Sequence, residues 1–193
     1  MLKSTLLTAS LLLAGFAATA AADTAVTGSV DAKPAKFLKD TVVYIKAVPG
    51  TKNTAQTHTI DQKNMEFVPH IVIAAVGDAV KFTNSDKVDH NVMSPDAKYD
   101  LGTKPGGSVS EHVFKDAGVF SQVCKIHPEM LAYVFVGQNR YASTVDDKGN
   151  FKIADVPAGT YELDVWNPKL KAPAQTIKVT ADGASNIKFS LHR

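Results

Sequence analysis

Residues 118–136 read GVFSQVCKIHPEMLAYVFV. Two short runs, Val119–Cys124 and Ala132–Val136, are rich in β-branched and aromatic side chains and lack helical spacing of their apolar residues. The stretch reads as strand, loop, strand. Its loop carries Cys124, His127 and Met130, so a thiol, an imidazole and a thioether fall within one turn. Working outward, Thr41–Ala47, Ala79–Thr83, Ser108–Phe114, Thr160–Trp166, Thr176–Thr180 and Asn186–Leu191 have the same β character. In Thr160–Trp166 the residues Tyr161, Leu163 and Val165 alternate with Glu162, Asp164 and Trp166, as in a sandwich strand with one wet face. Gly77-Asp78, Pro105-Gly106-Gly107, Asp147-Lys148-Gly149 and Pro157-Ala158-Gly159 mark turns. The chain is expected to be all-β, in two packed units.

The first residues read as an address. Lys3 precedes an apolar run, Leu6–Phe16, and Ala20-Ala21-Ala22 offers a cleavage site before Asp23. This is the three-part pattern of a secretory signal peptide. The apolar run falls short of the ~20 residues that span a bilayer. Residues 1–22 are therefore expected to be removed and the mature protein to be periplasmic, with no membrane span. Without Lys3, 20 basic residues face 19 acidic ones. No basic stripe forms, which argues against nucleic acid as a partner. Cys124 is the sole cysteine, so an exported chain has no internal disulfide to make and its one thiol needs a use or protection.

Upstream, His90 follows the Ala79–Thr83 strand in Asn84-Ser-Asp-Lys-Val-Asp-His90-Asn91-Val92. Two imidazoles, a thiolate and a weak thioether are the donors of a trigonal copper site with an axial Met. Thiolate and thioether favour Cu(I), while the imidazoles stabilise Cu(II). The residue types suit one-electron transfer at a copper ion held by His90, Cys124, His127 and Met130.

These positions resemble the cupredoxins, the small blue copper proteins. Gly77-Asp-Ala-Val-Lys-Phe82 and Phe82-Thr-Asn84 resemble that family's strand leading to its first ligand. His90-Asn91-Val92 is similar to its His-Asn pair, Gly118-Val-Phe120 to its strand entry, and Cys124-Lys-Ile-His127-Pro-Glu-Met130 to its ligand loop. The loop most resembles that of the amicyanins of methylamine utilisation. The resemblance implies a Greek-key β-sandwich or barrel over about His58 to Val136, holding one copper ion per chain. His90 would be the recessed ligand, Cys124 the strongly coupled thiolate, His127 the surface port and Met130 the long axial ligand. Asn91 would reach across to the ligand loop, and Pro128 would stiffen it. A redox protein, a cytochrome or dehydrogenase, would dock near His127. Glu129 stands where amicyanin-like loops are apolar, and Gln122 replaces an aromatic residue two positions before the Cys. If Gln122 faces inward, its amide must find partners.

A second resemblance flanks the first. Val26-Thr-Gly-Ser-Val30 and Thr41-Val-Val-Tyr-Ile45 resemble the opening strands of carboxypeptidase-regulatory-like (transthyretin-like) sandwiches. Asp147-Lys-Gly-Asn-Phe-Lys-Ile153 and Asp155-Val-Pro-Ala-Gly-Thr-Tyr-Glu-Leu163 resemble their middle hairpins. The expected division is residues 23–54 for the first strands of a second small β-sandwich, 55–137 for an inserted cupredoxin domain, and 138–193 for the remaining strands. Tandem order is the alternative, though loop tips accept whole domains.

Other uses of these residues fit less well. Cys124 as a mere buried hydrophobe leaves its His and Met neighbours without a purpose. Cys–His nucleophilic catalysis has no positioned Asn or Asp and no work for Met130, and a zinc site would show more Cys or His. His58 is expected in a loop, His70 at a strand edge, and neither they nor His112 receive a role. Met65 and Met93 are expected to pack, and Lys33, Lys36 and Lys39 to lie in a solvated loop. The reading is a non-enzymatic electron carrier. The alternatives are copper storage or delivery with the same ligands, or an interaction scaffold with secondary copper binding.

Overall fold

A computed structural model describes residues 24–193; the expected signal peptide, 1–22, lies outside them. Among the described residues, sixteen strands and one short 3-10 segment, Ala35–Asp40, follow one another. The strands are β1 Val26–Ala32, β2 Val42–Ile45, β3 Thr57–Lys63, β4 Glu66–Val68, β5 Ile71–Ala75, β6 Ala79–Asn84, β7 His90–Ser94 and β8 Tyr99–Lys104. They continue as β9 Val109–Val113, β10 Gly118–Val123, β11 Leu131–Gly137, β12 Ala142–Thr144, β13 Asn150–Ile153, β14 Gly159–Trp166, β15 Gln175–Val179 and β16 Ala184–Leu191. The protein is all-β and its four sheets are open, so each pair stacks as a sandwich and neither closes into a barrel.

The strand pairing sorts the sheets into two sets. One set has the orders β13-β1-β16 and β12-β2-β14-β15, so the earliest strands pair with the latest. The other has the orders β5-β11-β10-β7-β8 and β4-β3-β6-β9, drawn wholly from the middle of the chain. Strands β2 and β12 are antiparallel neighbours, Tyr44 opposite Ala142. All of β3–β11 therefore stands where a hairpin loop would be.

Each set encloses its own core. Val26, Val43, Ile45, Phe151, Leu163 and Phe189 belong to one, with the inward residues of β14 those that alternation predicts. Ile60, Phe82, Phe114, Cys124, Met130 and Val134 belong to the other. Each fully buried Val, Leu, Ile or Phe contributes about 1.5–3 kcal/mol, so these clusters dominate the stability of their sheets. Between the sets the contacts are aromatic and polar. Tyr44 packs on Phe135 at 4.8 Å, Trp166 sits edge-on to Tyr133 at 5.1 Å, and His70 faces the Asp40 carboxylate at 3.3 Å.

The strongest joint is Asp78, whose side chain is fully buried in the turn before β6. Arg140, on the returning segment, donates to it from both terminal nitrogens at 2.7 Å. Its carboxylate also accepts from the amides of Gln56 at 2.8 Å and Ala75 at 2.9 Å, and from His58 Nε2 at 2.9 Å. Arg140 further donates to the carbonyl of Thr54, on the outgoing segment. Burial pushes the Asp78 carboxyl up, but Arg140, the Ala75 amide, His58 and the Gln56 amide outweigh it and hold it well below the usual carboxylate range. His58 thus lies in strand β3, not in a loop: its ring turns back onto this buried carboxylate. Lys33, Lys36 and Lys39 are exposed on and beside the 3-10 segment.

Candidate metal centre

The sandwich of β3–β11 ends in a loop that the chain fastens tightly. Asn84, buried at the end of β6, donates from Nδ2 to the carbonyls of Val88 at 2.9 Å and Lys104 at 3.3 Å, and its Oδ1 accepts the Asp86 amide at 3.0 Å. Gly106 lies against the same loop. A Cβ there would meet the Asp86 carbonyl oxygen at 2.2 Å, so only glycine permits the approach. This staple delivers His90, the first residue of β7, into the interior at 1% exposure.

His90 Nε2 lies 2.9 Å from Asp86 Oδ2. An ionised carboxylate only accepts, so Nε2 donates to it and Nδ1 is turned inward. The Met65 amide first, and then the His90 ring, hold the Asp86 carboxyl below its ordinary range. His90 Nδ1 meets His127 Nδ1 at 3.0 Å, with the ring planes inclined at 69°. Cys124 Sγ lies 3.7 Å from His127 Nδ1 and accepts the Asn91 amide at 3.3 Å. Ligand atoms of His90, Cys124 and His127 all fall within 4.8 Å of one another. Cys124 sits one residue beyond the end of β10.

Met130 is the fourth expected donor. Its amide donates to the His127 carbonyl at 3.0 Å, which closes the loop, and its side chain is buried in the core that also contains Cys124. His127 is half-buried, between exposed Ile126 and exposed Pro128 and Glu129. Asn91 reaches across to the ligand loop: its Oδ1 accepts the Lys125 amide at 3.3 Å, and its Nδ2 donates to Asp100 Oδ1 at 2.8 Å. Lys125 closes the ring of contacts through its own ammonium on Asp100, and that pairing, with the Asn91 bond, holds the Asp100 carboxyl down at about 2.

A soft thiolate beside two imidazoles, with a thioether in the adjoining core, is a donor set that fits copper. Zinc structural sites use four nitrogen or thiolate ligands and no thioether. Sequence reasoning does not reveal Asp86, Asp100 or Lys125. The i−4 spacing of Asp86 from His90 is the one signal that could have found the first of them. His58, His70 and His112 all lie elsewhere. Met65 is half-buried at a turn beside Asp86, and Met93 pairs with Val123. Gln122 faces inward and its amide is satisfied: Nε2 donates to the Phe120 carbonyl at 3.1 Å, and Oε1 accepts from the Tyr99 hydroxyl.

The family model that matches is "Polysaccharide lyase family 4, domain II", over residues 133–187, which falls mostly on β12–β16. None of the curated proteins matches the chain. Among solved structures, the purple cupredoxin from Nitrosopumilus maritimus is 26% identical, with a TM-score of 0.38 over 42% of this chain and 99% of that one. Amicyanin from Paracoccus versutus is 18% identical, with a TM-score of 0.38 over 49% of this chain and 96% of that one. The copper-containing nitrite reductase from Thermus scotoductus SA-01 is 21% identical, with a TM-score of 0.40 over 48% of this chain and 25% of that one. The donor atoms of this chain, not these likenesses, carry the metal assignment. No helix among the described residues is long and apolar enough to cross a membrane.

Proposed function

We propose that this protein is an exported, periplasmic copper protein of cupredoxin type that passes single electrons and is not itself an enzyme. One copper ion per chain would be held by His90, Cys124, His127 and Met130. The observation that carries the reading is the convergence of ligand atoms of His90, Cys124 and His127 within 4.8 Å of one another. Copper bound there would supply a one-electron couple. The chain's own residues prepare it. Asp86 selects the His90 tautomer that offers Nδ1. The Asn91 amide donates to the Cys124 sulfur, which stabilises negative charge there. The Asn84 staple and the Asn91–Asp100–Lys125 contacts hold both sides of the site on strands, so a change of one charge meets little rearrangement. His127, half-buried beside the 48% exposed Ile126, is the edge for a redox protein, a cytochrome or dehydrogenase.

Titration of the purified protein with Cu(II) is expected to produce an intense thiolate-to-metal absorption that saturates at one ion per chain and bleaches reversibly with a mild reductant. Tight Cu(I) uptake with no colour would replace the carrier by a storage or delivery protein.

The same reading takes residues 55–137 as a copper domain inserted into a sandwich formed by 23–54 and 138–193. The pairing of β2 with β12 supports it. Asp23–Pro49 joined directly to Asn139–Arg193 is expected to fold, with one cooperative urea transition. If that fusion stays unfolded while Asn139–Arg193 folds alone, the division is wrong.

A further inference from the structure

The face on which the two sandwiches meet also leaves a cleft. Alternation in β14 sends Leu163 and Val165 into the core of β1, β2 and β12–β16, and Glu162, Asp164 and Trp166 to the opposite face. Antiparallel pairing sets Tyr44 opposite Asp164, and Lys46, two residues on, shares that face with it. From β11, Tyr133 meets Trp166 and Phe135 meets Tyr44. Beside these contacts Tyr44, Phe135, Trp166 and Lys46, with Gly118 and Gly137, line an open cavity of about 240 Å³.

Small-molecule sites favour such junctions: concave, mostly apolar, with a few polar groups that orient the guest. This cleft stands apart from the metal centre. Gly118 pairs with Val136 at its end of β10, whereas Val123 pairs with Leu131 at the ligand-loop end, about 17 Å along the strand. The charges on the shared face indicate the kind of guest. The Lys46 ammonium pairs with Glu162 and lies 3.3 Å from Asp164 Oδ2, which also accepts the Tyr44 hydroxyl at 3.2 Å. Burial, and then Asp164, push that hydroxyl up to about 12, so Tyr44 stays a neutral donor. One ammonium set against two carboxylates leaves a negative excess. An anion would find Lys46 already engaged. A cation would find three aromatic rings, whose faces attract positive charge.

We propose that this cleft binds a small organic cation, an amine or a quaternary ammonium compound, through the rings of Tyr44 and Trp166 and the charge of Asp164. Binding is non-covalent, and neither copper nor the His127 edge takes part in it. Lys46 sets the affinity from the other side, because its ammonium competes with the guest for the same carboxylates. The residues come from both sandwiches, so the site exists only where the two are joined.

Trp166 is the sole tryptophan, so its fluorescence reports on this cleft alone. Titration of the purified full chain with phenyltrimethylammonium is expected to change that emission saturably, and calorimetry to count one site per chain. Benzoate and benzyl alcohol, ring compounds of negative and zero charge, should bind at least about tenfold more weakly. Asp164→Asn is expected to weaken the cation about tenfold, and Lys46→Met, which removes the competing ammonium, to tighten it about fivefold. Tyr44→Leu should weaken it about fivefold; should that variant fail to fold, the two charge variants still decide, since both side chains reach solvent. Tighter binding of benzoate, or loss of the cation in Lys46→Met, would make this an anion site and overturn the proposal. The absence of a saturable change, equal binding of benzyl alcohol, or an affinity indifferent to Asp164→Asn overturns it as well.

Discussion

Replacing Arg140 with Met is expected to lower the unfolding free energy by about 3–5 kcal/mol, because it leaves the fully buried Asp78 carboxylate without its cation. Met keeps the length and the apolar stem, so the loss reports the charge and not a cavity. The Gln56 and Ala75 amides and His58 still donate, but none of them replaces a bidentate guanidinium. The substitution also frees the Thr54 carbonyl, so the outgoing and returning segments keep the Asn53 bond to the Gln138 carbonyl but lose the Arg140 one. Acid sensitivity should change too. The folded Asp78 carboxyl ionises below the ~3.9 of an unfolded Asp, so its contribution is complete above that value and disappears as the pH falls through it toward the folded one. Removing Arg140 raises the folded value toward the unfolded one, so the stability lost over this acid range should shrink. Urea unfolding at pH 7 and along an acid series measures both effects. A loss under about 1 kcal/mol with an unmoved acid limb would show the pair to be dispensable.

Cys124→Ser is expected to abolish the thiolate absorption in copper-treated protein while leaving the metal-free fold standing. Cys124 is 4% exposed and its sulfur accepts the Asn91 amide, a bond that a serine oxygen can keep. The stability change in metal-free protein should therefore stay near 1–2 kcal/mol, roughly the cost of a hydroxyl in an apolar core with one partner. Met130→Leu makes the companion variant: near-equal volume preserves the core, copper and colour should persist, and the reduction potential should shift. Colour surviving in Cys124→Ser would remove the thiolate from the site. An unmoved potential in Met130→Leu would remove the axial donor.

Strands whose own side chains alternate, or that flank the ligand loop, are legible in the sequence: Thr160–Trp166 is seen as Gly159–Trp166 and Ala132–Val136 as Leu131–Gly137. Thr57–Lys63 is not, because it is polar and buries only Ile60 and Gln62; its pairing with β6 makes it a strand. Tyr99–Lys104 is an edge strand with no fully buried residue, and its register against β7 comes from tertiary context. The site divides the same way. Cys124 and His127 stand out because they are three positions apart in one loop, and His90 because of the His-Asn pair it forms with Asn91 after a strand. Asp86, Asp100 and Asp78 look like any surface carboxylate until the fold brings donors to them, in the case of Arg140 and Asp78 from 62 positions away along the chain.

The interleaving of the first strands with the last has a consequence in time. A chain made from its N-terminus presents β1 and β2 first, yet their partners are β13, β16, β12 and β14, all made later. The middle sheets, by contrast, are complete once β11 has emerged. Whether on the ribosome or leaving a translocation pore, the opening strands must wait unpaired while the region of His90 and Cys124 takes its shape. Only the final residue of β16, Leu191 against Ala32, closes the outer sheet behind it.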